Sequence, residues 1–203
     1  MNDFLARTQE GAAALRRAVS DISARPQLIA SVREEPAVGA AILAGGIAQV
    51  EKARTLTRPS VLGVAAVAAS HAAYAWSLYR RGARNDALGW GLRAAVWGAG
   101  VAATRKEPTA AAVAVGGAAV LSTSALAGDP ALRTDAGKGI SHGANLLVAA
   151  EGLTALRAEL AQRKCGTRKH AVKKQGARLV GAAEAGALAV GHLLLLDGLR
   201  RTR

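Results

Sequence analysis

The sequence predicts an all-α fold: a polytopic membrane helical bundle of about five embedded helices with an amphipathic N-terminal helix. Three observations predict it. Val61 to Tyr79 runs 19 residues without a formal charge, and Thr109 to Gly128 runs 20, against the ~20 that a bilayer-spanning helix needs. Apolar residues make up 51% of the chain but aromatics only 3%, with Phe4 the sole Phe, so the apolar content is largely Ala and aliphatics, beside 23 Gly. A water-soluble core draws roughly 1.5–3 kcal/mol from each large buried side chain, which Ala and Gly cannot supply, whereas in lipid small residues let helices approach closely. Finally, the Lys and Arg residues fall mainly between the apolar segments, where headgroup-facing cations belong.

The chain divides into residues 1–34, an amphipathic N-terminal segment, 35–199, the membrane-embedded bundle, and 200–203, a basic C-terminal tail. In the first segment Phe4, Leu5, Ala12, Leu15, Val19 and Ile22 recur at helical spacing, and the helix stops before Pro26. It lies either in the membrane surface or against a partner subunit. Glu35-Pro36 opens the next helix, with Pro in the first turn. Its uncharged run, Pro36 to Val50, is 15 residues, short for a full span, and Glu51, Lys52 and Arg54 close it.

Arg58-Pro59 leads into the central run, whose far end carries Tyr74, Trp76 and Tyr79, then Arg80, Arg81 and Arg84. Trp90 follows the same loop. Trp and Tyr prefer the headgroup level, so Trp76, Tyr79 and Trp90, with the three arginines, mark one interface. Asn85-Asp86 supply N-cap chemistry for a helix over 87–103. That helix contains Arg93, whose charge at a helix centre costs about 2.5–3.5 kcal/mol on insertion scales, so it faces protein, a partner acid or a wet cavity, or snorkels. Two small-residue rows on the helix, Gly91/Ala95/Ala99 and Ala94/Gly98/Ala102, offer surfaces for a neighbouring helix. After the span that ends at Gly128, Asp129-Pro130 turns the chain, and a helix runs from about Ile140 to about Leu160. A basic connection follows, Arg163 to Arg178, including Arg168, Lys169, Lys173 and Lys174 and no acid. The last helix covers Leu179 to Asp197, and Arg200-Arg201-Thr202-Arg203 ends the chain.

The net charge of +13 fits either a nucleic-acid surface or anionic headgroups and acidic partners. The placement of cations between apolar segments selects the second, with no nucleic-acid partner. The single Cys165 rules out an internal disulfide framework and Cys-based metal motifs. Residues 1–25 lack the apolar core of a signal peptide and include Asp3, Glu10 and Asp21, which transit peptides avoid. The expected location is an integral membrane position, in a mitochondrial inner or bacterial plasma membrane, not secreted. If every helix from Val61 onward crosses, alternate connections carry thirteen and eight basic residues. The positive-inside rule then places the richer side (52–58, 105–106 and 157–178) in the cytoplasm or matrix.

Chemistry is sparse. No P-loop, dinucleotide fingerprint, C-x-x-C or H-E-x-x-H occurs. His71, His142 and His192 fall in apolar segments and His170 in the basic connection. Two membrane histidines can ligate haem or another metal, but no spacing pairs them, and a hydrogen-bonded bundle histidine is the plainer reading. Glu151 and Glu184 are intramembrane acids, read either as proton relays or as members of structural ion pairs, with Arg93 as one partner. Asp86, Asp129, His142 and Asn145 can line a hydrolytic site at a membrane surface, or serve as caps and connections.

Thr57-Arg58-Pro59, Gly128-Asp129 and His142 resemble in residue type the landmarks of membrane lysoplasmalogenases. Arg stands in place of Lys, the intervals differ and the later acidic motif is missing, so the resemblance supplies an enzyme alternative only. The expected function is a non-enzymatic accessory or scaffolding subunit, without cofactor, that packs against larger membrane-protein subunits and anionic lipid. The alternatives are a small lipid hydrolase using Asp129 and His142, and a haem- or metal-binding electron-transfer subunit.

Overall fold

The computed structural model describes residues 35–54, 60–84, 87–106, 110–162 and 170–202, without the side chains of 53, 159, 161, 162, 170–174 and 177. The N-terminal amphipathic segment and the Arg168-Lys169 pair expected at lipid headgroups lie outside these residues, as do the Lys173 and Lys174 side chains. The described residues are all-helical. Six helices, α1 (Pro36–Arg54), α2 (Val61–Arg80), α3 (Ala87–Thr104), α4 (Ala110–Ala127), α5 (Ile140–Gln162) and α6 (His170–Arg201), are joined by one 3-10 turn, Pro130–Leu132.

Three of the six are long and apolar enough to cross a membrane: Val61–Arg80, Ala110–Ala127 and Arg178–Arg201. That is fewer than the five expected. Arg93 lowers the apolar character of α3, and Glu151 and Arg157 interrupt α5. α1 spends its last turn on Glu51, Lys52 and Arg54. α6 starts at His170 rather than near Leu179 and continues to Arg201. Much of the basic stretch read as a connection is therefore helical, as are Arg200 and Arg201 of the expected tail.

Local chemistry sets the helix ends. Ser60 caps α2 in extended conformation, its Oγ accepting the Gly63 N–H at 2.9 Å. The same hydroxyl donates to Glu51 Oε2 at 2.6 Å, tying the end of α1 to the start of α2. At the other end Gly82, at φ +89°, closes α2. The Gly82 N–H reaches Tyr79 O and the Ala83 N–H reaches Leu78 O, the paired bonds of a Schellman termination. Asp129 caps the 3-10 turn through the Ala131 N–H.

α1 packs on α2, α2 on α4, α4 on both α3 and α5, and α5 on α6. The tightest seam is between α5 and α6. A Cβ on Gly143 would lie 2.7 Å from Gly191 O, and one on Gly191 would lie 3.0 Å from Gly143 O, so only glycine permits this approach. The two rows expected to carry such packing, on α3, do not: Gly91 and Gly98 have open space where a Cβ would stand. α3 meets α4 through other residues. Trp97 Nε1 donates to Ala114 O at 2.9 Å, and Gly100 lies beside Val113.

The main core gathers the large side chains Tyr74, Leu78, Ile140, Leu147, Leu195 and Leu199, all fully buried. A smaller cluster, Ala48, Ala66, Val67 and Val120, sits toward the other end. The first end is closed by Arg81, whose guanidinium takes Glu35 in a two-point ion pair at 2.9 and 2.7 Å. Arg81 also donates to Ser77 O, Leu199 O and Thr202 Oγ1, joining α1, α2 and α6. Ser77 Oγ donates to the same Glu35 carboxylate. Arg81 was expected at lipid headgroups; it turns inward because a planar cation with several donors can satisfy a carboxylate and two helix-end carbonyls at once.

Candidate functional site: a polar septum between two cavities

Three helices bring charge together at the end opposite Arg81. On α5, Glu151 and Thr154 are three residues apart and Arg157 three further on, and on α6, Glu184 and His192 are eight apart. Each set lies along one helix face. α1 adds Gln49 and Lys52 from its closing turns. Lys52 Nζ meets Glu151 Oε1 at 2.5 Å. Arg157 Nη1 meets Glu184 Oε2 at 2.9 Å, and Thr154 Oγ1 donates to the other Glu184 oxygen at 2.7 Å. Glu184 is 3% exposed, so this pairing is what lets its charge reside inside a bundle. The two acids thus pair with Lys52 and Arg157 and not with Arg93. Spacing along one chain cannot show which of several cations a fold delivers.

A neutral polar layer continues from this septum toward the core. Tyr74 Oη and His192 Nδ1 are hydrogen-bonded at 2.9 Å with their rings 5.7 Å apart. His71 Nδ1 lies 3.1 Å from Thr123 Oγ1. The Thr123 hydroxyl also faces His71 O at 3.0 Å and Ala119 O at 3.3 Å, which ties α4 to α2 at this level. Ser70 Oγ donates to Ala41 O at 2.7 Å. No buried side-chain nitrogen or oxygen among the described residues lacks a partner. His71 and His192, which no spacing pairs, flank Tyr74 from α2 and α6. His142 stands apart, exposed on α5.

The septum separates two cavities. One, about 420 Å³, is lined by Gln49, Lys52, Arg157, Glu184, Leu188 and His192. The other, about 340 Å³, is an apolar crevice between α2, α3, α4 and α5. Val67, Trp97, Val113, Val120 and Val148 are among its walls, and Lys52 and Glu151 lie at its margin. Lys52 lines both. Pockets of roughly 300–1,000 Å³ with mostly apolar walls and a few polar groups are the usual form of small-molecule sites. The sequence signal for the crevice is its glycines, Gly63, Gly100, Gly116, Gly117 and Gly152, which lie on four helices, so no row along one helix marks them as a set.

The other expected residues lie elsewhere. Arg93 is half-buried against α4, its Nε donating to Ser124 Oγ at 3.0 Å and its Nη1 to Gly89 O. Ser124 Oγ passes the link on to Asn145 Oδ1 at 2.7 Å. Trp76 and Tyr79 stack at 6.1 Å, the Arg84 guanidinium lies 3.7 Å over the Tyr79 ring, and Trp90 Nε1 is 3.3 Å from Arg84 O. Arg80 is exposed beside them. These residues form one surface patch at the Arg81 end. The Asp129 carboxylate accepts the backbone N–H groups of Arg84 and Ala131, both at 2.7 Å, a clasp between two loops.

Among the described residues no three His, Cys, Asp or Glu side chains gather in a metal-binding arrangement. No family model, curated protein or solved structure matches this chain.

Proposed function

We propose that this chain is an integral membrane protein acting as a non-enzymatic accessory subunit, which packs against a larger membrane-protein partner through α3. The observation that carries this reading is that α3 has no buried residue. Leu88 is 71% exposed and Leu92 and Val96 are each 62% exposed, and Gly91, Ala95 and Ala99 lie exposed between them. A helix that carries Arg93 yet leaves most of its surface uncovered gains little from lipid contact alone. A second protein surface against its small residues would supply the missing packing. The Trp76–Tyr79–Arg84–Trp90 patch suits a headgroup layer, and the basic connections suit anionic lipid or acidic partner surfaces. A mitochondrial inner or bacterial plasma membrane is the proposed setting.

A lipid hydrolase at Asp129 and His142 is less well supported, because the Asp129 carboxylate is engaged by two backbone amides. The test is gentle detergent extraction followed by blue-native electrophoresis and mass spectrometry. Wild type should migrate with stoichiometric larger subunits, and Ala95→Trp should run alone while keeping its helicity. Wild type running alone would sink the subunit reading.

A further inference from the structure

We propose that the two pockets together bind one anionic amphiphile, with its tail in the crevice and its head at Lys52. Concave sites with mostly apolar walls and a few polar groups are where small amphiphilic molecules bind. The ~340 Å³ crevice is such a space. Glycines keep its walls thin: a Cβ on Gly100 or Gly116 makes only ordinary contact, and one on Gly152, at the exposed rim, meets nothing within 4 Å. The second pocket has mostly apolar walls, from Gly181, Ala185, Leu188 and Ala189, with polar groups at Gln49, Lys52, Arg157, Glu184 and His192. An apolar slot that adjoins a pocket bearing several polar groups, with Lys52 in the wall of both, matches a molecule with a tail and a head.

The charge at this end selects the sign of the head. The described cations are Lys52, Arg54, Arg105, Lys106, Arg157 and Arg178, against the acids Glu51, Glu151 and Glu184. Arg105 and Lys106 directly follow Thr104, which lines the crevice. Lys52, Arg54 and Arg157 are paired with Glu151, Glu51 and Glu184, so the excess lies in Arg105, Lys106 and Arg178, and that positive field favours an anionic head over a zwitterionic one.

Trp97 reports on the crevice, since Trp76 and Trp90 lie at the opposite end of the bundle. In a Trp76→Phe/Trp90→Phe background, the full chain in detergent micelles is titrated with lysophosphatidylglycerol bearing a dibrominated stearoyl tail. The same tail on lysophosphatidylcholine and as the free fatty acid completes the set. Saturable quenching of Trp97 is expected, weakened at least tenfold by Gly152→Leu. The two anionic probes should bind several-fold more tightly than the choline lipid, and Lys52→Gln should remove that preference. Equal binding of both anionic probes assigns the site to an anionic tail of any headgroup, and preference for the lysolipid assigns it to a membrane lipid; either supports the site. Quenching that rises linearly with micelle mole fraction and is unchanged by Gly152→Leu overturns it. Equal affinity for the choline lipid overturns the anionic head. If Gly152→Leu loses its helicity, native mass spectrometry of the wild type decides: one retained lysolipid per chain supports the site, and a statistical ladder of adducts rejects it.

Discussion

The two ends of the bundle are built from the same helices with opposite results. Toward Arg81, Tyr74, Leu78, Ile140, Leu147, Leu195 and Leu199 interlock without exposure, and the Glu35–Arg81 pair closes the end. Toward Lys52, the core shrinks to Ala48, Ala66, Val67 and Val120, and cavities of about 420 and 340 Å³ flank the septum. Glycine serves both ends differently. Gly143 and Gly191 let α5 and α6 touch backbone to backbone, while Gly100 and Gly116 make only ordinary contacts and Gly152 stands open at the rim of the crevice. A small residue in a helix therefore permits either close approach or a void. Which one results depends on whether a neighbouring helix is drawn in by other contacts, as α6 is by Leu195 and Leu199.

This comparison can be broken, beginning with its largest expected effect. Arg81→Ala leaves Glu35 without its ion-pair partner in a site where both side chains are mostly buried; a loss of about 3–5 kcal/mol is expected, read as equilibrium unfolding in detergent. A loss below 1 kcal/mol would mean that the Arg81 end is held by apolar packing alone. Leu195→Ala, at a fully buried position, should cost about 3 kcal/mol; an effect no larger than that of Val120→Ala would remove the distinction between the two cores. Tyr74→Phe keeps the ring and deletes the bond to His192, for an expected cost of about 1 kcal/mol. An unchanged midpoint would show that this layer contributes no stability. Gly152→Leu should lie within about 0.5 kcal/mol of wild type, and a large destabilisation would show that the crevice collapses in solution.

Much of the helical order was legible in the residues. The charge-free runs, the Pro36 start and the Asp129-Pro130 turn locate α1, α2, α4 and α5 to within a few residues. The aromatic cluster was legible too, because Trp76, Tyr79, Arg84 and Trp90 flank one short loop, and local spacing suffices to bring them together. The start of α6 was not. Lys and Arg are good helix formers, and an uninterrupted basic run reads equally well as a solvated connection. The candidate site was only partly visible: Glu151, Glu184, His71 and His192 stood out as polar groups in apolar segments, but Lys52, Arg157 and Thr154 did not.

What the sequence determined by itself was the class of structure: helices, their order, their small-residue character and the cations at their ends. Those properties depend on spacing within a few turns of one chain segment. Tertiary structure alone decided that Lys52 meets Glu151 across 99 positions, Arg157 meets Glu184 across 27 and Tyr74 meets His192 across 118. It alone decided as well that five glycines from four helices would face one another around an empty apolar space. The physical reason is that a pairing between distant residues depends on which helix faces the packing of Leu, Ile and Tyr has already oriented, and no periodicity within a single helix records that choice.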